Sequence, residues 1–316
     1  MAEFDLIARI LARAGVRADV ALGIGDDGAL LVPHAGQQLV AVCDTLNAGV
    51  HFLPDADPAD IGWKSLAVNL SDLAAMGATP SWALLSLSLP QADADFVERF
   101  MQGFSALADE SQIALVGGDT THGSLSVGVT ALGFVPAGMA MTRGGARPGD
   151  AVYVSGTLGD AAAALRLQQS VDGAAGVSPA LLARLNRPTP RVTLGQALRG
   201  VANAAIDISD GLLADLAHVA RASGVGIELQ AGALPISKAL SALASATQRV
   251  RWQATGGDDY ELAFTLPPER VPALEGLGVT CIGRVVAGEG VRLRDGTGES
   301  VVFEQAGWEH FTGATQ

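Results

Sequence analysis

Apolar residues fall at helical spacing from the start of the chain: Phe4, Ile7, Ile10 and Leu11 predict an amphipathic first helix. Gln38 to Cys43 is a compact apolar run that predicts a strand ending on Asp44. Ala59 to Met76 has helical composition and stops at Gly77, with Pro80 beyond it. Ser81 to Leu89 predicts a strand and Phe96 to Glu110 a helix. Ile113 to Val116 predicts a short buried strand running into a Gly117-Gly118-Asp119 loop, and Ser124 to Val135 alternates as a further strand.

Periodicity lapses from Pro136 to Asp150, where Gly, Pro and Arg dominate, so a domain boundary falls near residue 137 and separates 1–137 from 138–316. The pattern restarts with a strand at Ala151 to Ser155 and an Ala-rich helix. Ala204 to Ile208 predicts a strand leading into Ser209-Asp210-Gly211, where the helix LLADLAHVARASG begins. Tyr260 to Leu266 predicts a strand after Gly256-Gly257-Asp258-Asp259, and VRLRDGTGESVVF a hairpin turning at Asp295-Gly296. A Gly-Gly-Asp loop feeding a strand occurs in each half and hints at duplication. Mixed strands and helices in two domains make the fold class α/β.

Composition sharpens this picture. Hydrophobic residues make up 49% of 316 and charged residues 17%, enough apolar material for buried sheets and no signature of disorder. A net charge of -13 argues against nucleic acid or an anionic membrane as partner. Cys43 and Cys281 form no CxxC, the N-terminal segment does not read as a signal peptide, and no apolar run approaches a membrane span. A cytoplasmic protein is expected.

The placement of the acids is unusual. Asp26, Asp27, Asp44, Asp72, Asp119, Asp207, Asp210, Asp258 and Asp259 sit among Gly, Ser, Thr and apolar residues, while the chain holds two lysines, Lys64 and Lys238. Carboxylates in such settings are costly unless a positive charge joins them. Singly, each reads as a helix cap or turn former. Their recurrence at predicted strand ends and glycine turns points instead to hard oxygen ligands for magnesium, which bridges to substrate phosphates. Ser65, Asn69 and Asp72 also follow one another at i, i+4, i+7 along one helix stripe. Gly23, Gly25 and Gly28 satisfy G-x-G-x-x-G, but Asp26 and Asp27 stand where a pyrophosphate would approach, and Pro33 interrupts the required helix.

The segments GIGDDGALL, DTLNAGVHF, WKSLAVNLSDLAAMGATP, GGDTT, DISDGL and GGDDYEL run nearly end to end. Together they resemble the thiamine-monophosphate kinases, a family related to aminoimidazole ribonucleotide synthetase and selenophosphate synthetase. The resemblance implies a two-domain aminoimidazole ribonucleotide synthetase-like fold whose N-terminal sheet forms a barrel across a homodimer. It implies transfer of a phosphoryl group from ATP to thiamine monophosphate, the last step of thiamine diphosphate synthesis, assisted by metal with no dedicated base. Asp27, Asp44, Asp72, Asp119 and Asp207 would then hold several magnesium ions, with Asp210 supporting another. Gly118, Asp119, Arg143 and Ser209 would contact ATP, and His51, Glu261 and Trp308 the thiamine substrate. Cys43 stands where Thr or Ser is usual, and Met101 where an aromatic residue is expected near the nucleotide.

Residue chemistry agrees with these roles to differing degrees. Arg143, in a Gly-rich linker, could be a solvated charge, yet a planar obligate cation suits phosphate. His51 alone reads as an ordinary imidazole, Glu261 as a turn flank and Trp308 as core; a carboxylate and an aromatic face nonetheless suit a cationic thiazolium and an aminopyrimidine. Lys64 is expected to pair with an acid of the cluster. Like charges at 4 Å repel by about 4 kcal/mol at an effective dielectric of about 20, so crowded phosphates call for divalent cations. Competing readings are activation of an amide or selenide, a metal-dependent phosphatase, and a non-catalytic metal-binding protein. The selenide reading lacks its reactive Cys and Lys in residues 1–22.

Overall fold

The computed structural model describes residues 3–13, 17–169 and 177–308; the expected packing of Phe4 falls outside its described side chains. The chain forms two compact units, Met1–Ala140 and Met141–Gln316.

In the first unit the order is α1 (Glu3–Leu11), β1 (Val20–Leu22), β2 (Leu30–Leu31), β3 (Gln37–Asn47), α2 (Pro58–Ala75), β4 (Thr79–Leu89), α3 (Ala94–Ser111), β5 (Ala114–His122) and β6 (Ser126–Pro136). Strands β1 and β2 form a small hairpin, and the main sheet runs β3-β6-β4-β5. Its pairs are antiparallel except β4 with β5. Helix α2 begins at Pro58, which has no amide to satisfy, and the Asp57 side chain accepts from the Ala59 amide. It ends before Gly77, whose φ of 69° suits a residue without Cβ. Helix α3 is capped by Asp93, whose carboxylate takes the amides of Asp95 and Phe96.

The two helices touch backbone to backbone. A Cβ on Gly62 would lie 2.0 Å from the Phe100 carbonyl oxygen, and one on Gly103 would lie 1.8 Å from that of Ala59. Helix α2 is consequently buried almost all round, polar Lys64, Ser65, Asn69 and Ser71 included.

Two expectations are corrected here. Strand β3 runs on to Asn47, so Asp44 is an internal strand residue opposite Val129, not a strand end. Gly117-Gly118-Asp119 is likewise not a loop: it lies within β5, beyond a bulge where pairing steps from Leu115 to Gly117. Long-range ladder pairing overrides the local turn preference of Gly and Asp. The suggested repeat of a Gly-Gly-Asp loop therefore lapses, because only the second copy, at 256–258, lies outside a strand.

The second unit contains β7 (Ala151–Ser155), α4 (Asp160–Gln168), α5 (Pro179–Asn186), α6 (Val192–Leu198), β8 (Ala204–Asp207), α7 (Leu212–Ser223), β9 (Gly226–Gln230), α8 (Lys238–Leu243), α9 (Ala246–Thr255), β10 (Leu262–Leu266), β11 (Val279–Val286), β12 (Gly290–Arg294) and β13 (Ser300–Val301). The sheet order is β13-β12-β9-β11-β7-β10-β8. Helix α7 lays Leu212, Leu216, Val219 and Ala220 on a core that includes Val152, Val154, Ile206, Ile227 and Ala263. Because β10 runs antiparallel to both β7 and β8, one end of the sheet gathers Ser155, Asp207 and the residues before Leu262.

Candidate functional site

In the first unit the candidate acids lie on separate elements. Asp27 is exposed in the loop between β1 and β2, where its amide donates to Asp26 Oδ1 at 2.8 Å. Asp44 belongs to β3 and half-buried Asp72 to α2, and Asn69 ties the two elements together. Its Oδ1 accepts from the Asp44 amide at 3.0 Å, and its Nδ2 donates to the Ser65 carbonyl at 3.0 Å. Asp119 sits on β5 opposite Ser86, next to Gly118. No side chain fits at position 118: φ is 151°, and a Cβ would stand 1.8 Å from the Leu85 carbonyl oxygen.

His51 follows β3 in a turn, and its Nδ1 accepts from the Asn47 amide at 2.9 Å. A neutral imidazole in that arrangement carries its proton on Nε2. Buried Lys64 donates to the His51 carbonyl at 3.1 Å and so fixes the same turn from α2. Met101, which stands where an aromatic residue is expected near the nucleotide, is 1% exposed on α3, whose buried face also carries Phe100 and Phe104.

In the second unit, segments 207–211 and 256–261 are laced together beyond the regular strands. The Ile208 amide donates to the Glu261 carbonyl, that of Tyr260 to Ile208, and that of Asp258 to Ser209, at 2.8, 2.8 and 2.9 Å. Asp258 and Tyr260 hold φ of 66° and 50°, conformations unusual for side-chain-bearing residues that concentrate at functional sites. Asp207 is buried at the end of β8, and Ser209 and Asp210 are half-buried before α7. Behind them lies Asp215 of α7, 3% exposed, whose Oδ2 accepts from the amides of Ser209, Asp210 and Gly211 at 3.1, 3.1 and 3.0 Å. Burial pushes the Asp215 carboxyl up to about 8; the charges of Asp207 and Asp210 add to this, and the amides of Gly211 and Asp210 oppose it.

Exposed Arg143 neighbours His218 of α7, whose ring is lowered first by burial and then by the charges of Arg143 and Arg221. The Trp308 amide donates to the Asp210 carbonyl at 2.9 Å, while the residue stays 56% exposed.

Glu261 lies just before β10. Its carboxylate, expected at the substrate, is fully enclosed: Arg184 of α5 meets Oε1 at 2.7 Å, Arg191 grips both oxygens, and Ser155 Oγ donates to Oε2. Two guanidiniums meet this one carboxylate, a charge-assisted arrangement that fixes its position. Beside it, burial holds Asp259 well above the usual carboxylate range, and its oxygens share the Gly159 amide at 3.0 and 2.9 Å.

Sequence reasoning missed Asp215, Arg184 and Arg191. Asp215 could have been suspected from its place one turn into the helix after Ser209-Asp210-Gly211. Arg184 and Arg191 act on Glu261 from 77 and 70 residues away, a relationship with no local signal. Among the described residues no group of three or more His, Cys, Asp or Glu is placed to hold a metal ion. The donor chemistry still fits magnesium. Asp207, Ser209 and Asp210 supply oxygen-bearing side chains within four residues, and the charges of the two acids raise the Asp215 carboxyl, a repulsion that a divalent cation would relieve.

Fold and site together define a two-unit, carboxylate-rich α/β protein of the AIR synthase related class. Residues 25–135 match the family described as AIR synthase related protein, N-terminal domain, and residues 147–296 match its C-terminal domain. Thiamine-monophosphate kinase of Escherichia coli (strain K12) is 48% identical over 320 residues, covering 98% of each chain. The crystal structure of thiamine-monophosphate kinase from Stenotrophomonas maltophilia K279a has a TM-score of 0.87 at 53% identity, covering 95% of this chain and 98% of that one. AaThiL complexed with AMPPCP and TMP has a TM-score of 0.77 at 38% identity, covering 98% and 96%. The chain belongs to the thiamine-monophosphate kinase family.

Proposed function

We propose that this protein transfers the γ-phosphoryl group of ATP to the phosphate of thiamine monophosphate, giving thiamine diphosphate by direct in-line displacement. The observation that carries this reading is the full-length likeness, in both units, to thiamine-monophosphate kinases. A phosphate monoester has a second pKa near 6 and reaches neutral pH largely as a dianion, so its oxygen attacks without a base. That suits a site whose acids are turned to cations.

Asp27, Asp44, Asp72, Asp119, Asp207 and Asp210 would hold magnesium, which when bound supplies positive charge against crowded phosphates. Arg143 offers an exposed guanidinium to the nucleotide phosphates, which Gly118 and Ser209 would also contact. His51 can donate from Nε2, and Trp308 presents an exposed indole for stacking on the thiamine rings. In this scheme 1–137 is the metal, nucleotide and dimerisation half, and 138–316 completes the active site.

A homodimer is supported by the outer face of the first sheet. Leu39 and Leu84 are 53% and 37% exposed there, in company with Ala41, Cys43 and Thr130. A second copy covering this face would join the sheets, and a monomer by light scattering would count against it. No helix among the described residues is long and apolar enough to cross a membrane, in keeping with a cytoplasmic enzyme. The decisive experiment incubates the protein with ATP, magnesium and either thiamine monophosphate or free thiamine, and resolves the products by chromatography. Thiamine diphosphate should form from the monophosphate alone. Absence of that product, or comparable phosphorylation of free thiamine, overturns the reading.

A further inference from the structure

All the backbone polar groups of Ser209, Asp210 and Gly211 are already engaged. Their amides donate to Asp215 Oδ2 at 3.1, 3.1 and 3.0 Å. Their carbonyls accept from the amides of Asp258, Trp308 and Asp215, each at 2.9 Å. Free amides at the start of a twelve-residue helix such as α7 would ordinarily attract a phosphate. Here the chain's own carboxylate occupies them, so Ser209 and Asp210 have no amide left to offer an anion.

The local packing leaves the loop little freedom to find another path. Gly211 holds φ of 135° against the Thr255 backbone, and a Cβ on Gly257 would lie 2.5 Å from the Ser209 carbonyl oxygen. The loop is thus gripped on its outer side by 255–258 and on its inner side by Asp215, 3% exposed.

We propose that Asp215 is a positioning residue: by taking three amides at once it turns a helix start suited to anions into a loop that presents Ser209 Oγ and the Asp210 carboxylate to a cation. This rests on the reading that Asp207 and Asp210 hold magnesium. What Asp215 contributes is an acceptor oxygen at one fixed place, so its hydrogen-bonding shape matters more than its charge. Asn keeps that shape, Ala removes it, and Glu keeps the charge but carries the oxygens one methylene too far.

The test is a titration with Mn2+, followed by the electron paramagnetic resonance of free ion, on full-length protein without nucleotide. Asp215→Ala should weaken the affected Mn2+ site at least tenfold, and Asp215→Asn should remain within about threefold of the unsubstituted protein. Wild-type affinity in Asp215→Ala overturns the proposal, as does equal impairment of Asn and Ala, which would make the negative charge the essential property. If the Ala variant does not fold, Asp215→Glu takes its place, with at least tenfold weakening expected and wild-type affinity overturning the proposal. Because no turnover is measured, failure of the kinase reading would appear separately, as absence of thiamine diphosphate in the unsubstituted protein.

Discussion

The backbone amide of Asp44 donates to Oδ1 of Asn69 at 3.0 Å, joining β3 to α2 where each element carries a proposed magnesium ligand. Asn69 is fully buried, so its replacement by Ala would leave the Asp44 amide without this acceptor. Loss of a buried partner costs about 1–3 kcal/mol. Asn69→Ala should lower the urea unfolding free energy by that amount and reduce turnover as well. An unchanged midpoint would mean that water replaces the bond freely.

Asp72→Ala should behave differently. Asp72 is half-buried on a helix whose neighbouring positions on both sides, Ser71 and Leu73, are buried, so the apolar packing of α2 is untouched by the change. Turnover is expected to fall at least a hundredfold, about 2.7 kcal/mol in transition-state terms, while the circular dichroism spectrum stays that of the parent. Retention of more than half the activity would make Asp72 an ordinary polar helix residue.

Glu261→Gln separates a structural role from direct substrate contact. Removing one partner from an enclosed ion pair leaves the guanidiniums of Arg184 and Arg191 uncompensated, at a cost of about 3 kcal/mol. The expected signature is a marked fall in melting temperature, with thiamine monophosphate KM changing no more than ATP KM in the folded protein. A selective rise in thiamine monophosphate KM at unchanged melting temperature would place Glu261 at the substrate.

Acid should weaken the first unit through Asp19. Hydrogen bonds from Arg17, at 2.8 Å to each carboxylate oxygen, lower the Asp19 carboxyl from 3.8 to about 2. A depressed carboxyl stabilises the fold above its unfolded value, and that contribution disappears as pH falls from about 4 towards 2. Urea midpoints measured across this window should decline less steeply for Asp19→Asn than for the parent. Equal slopes would show that the Arg17 fork opens in solution.

Much of the architecture was legible because it is written in local patterns. Helices α2 and α3 carry their stop and start residues beside them, Gly77 after one and Asp93 before the other. The candidate acids were legible for a related reason, since isolated Asp among small and apolar residues is visible without any fold. Their setting was not. Asp44 and Asp119 lie inside strands because β6 and β4 pair with those segments, and neither partner can be read from Gly and Asp alone. The enclosure of Glu261 depends on residues 70 and 77 positions away, and the capture of three amides by Asp215 depends on the turn of α7. Chemistry carried by residue type was visible; chemistry created by long-range contact was not.

The contact between α2 and α3 has a consequence for how this chain can change over generations. A side-chain contact has two mutable partners, so a substitution on one side can be answered by another across the gap. Gly62 and Gly103 face the carbonyl oxygens of Phe100 and Ala59, and a carbonyl oxygen is the same whatever residue bears it. No second substitution can answer a first at either position. These two glycines therefore stand outside the reciprocal drift open to a pair such as Arg191 and Glu261, and a lineage can keep them or remodel the whole helix crossing.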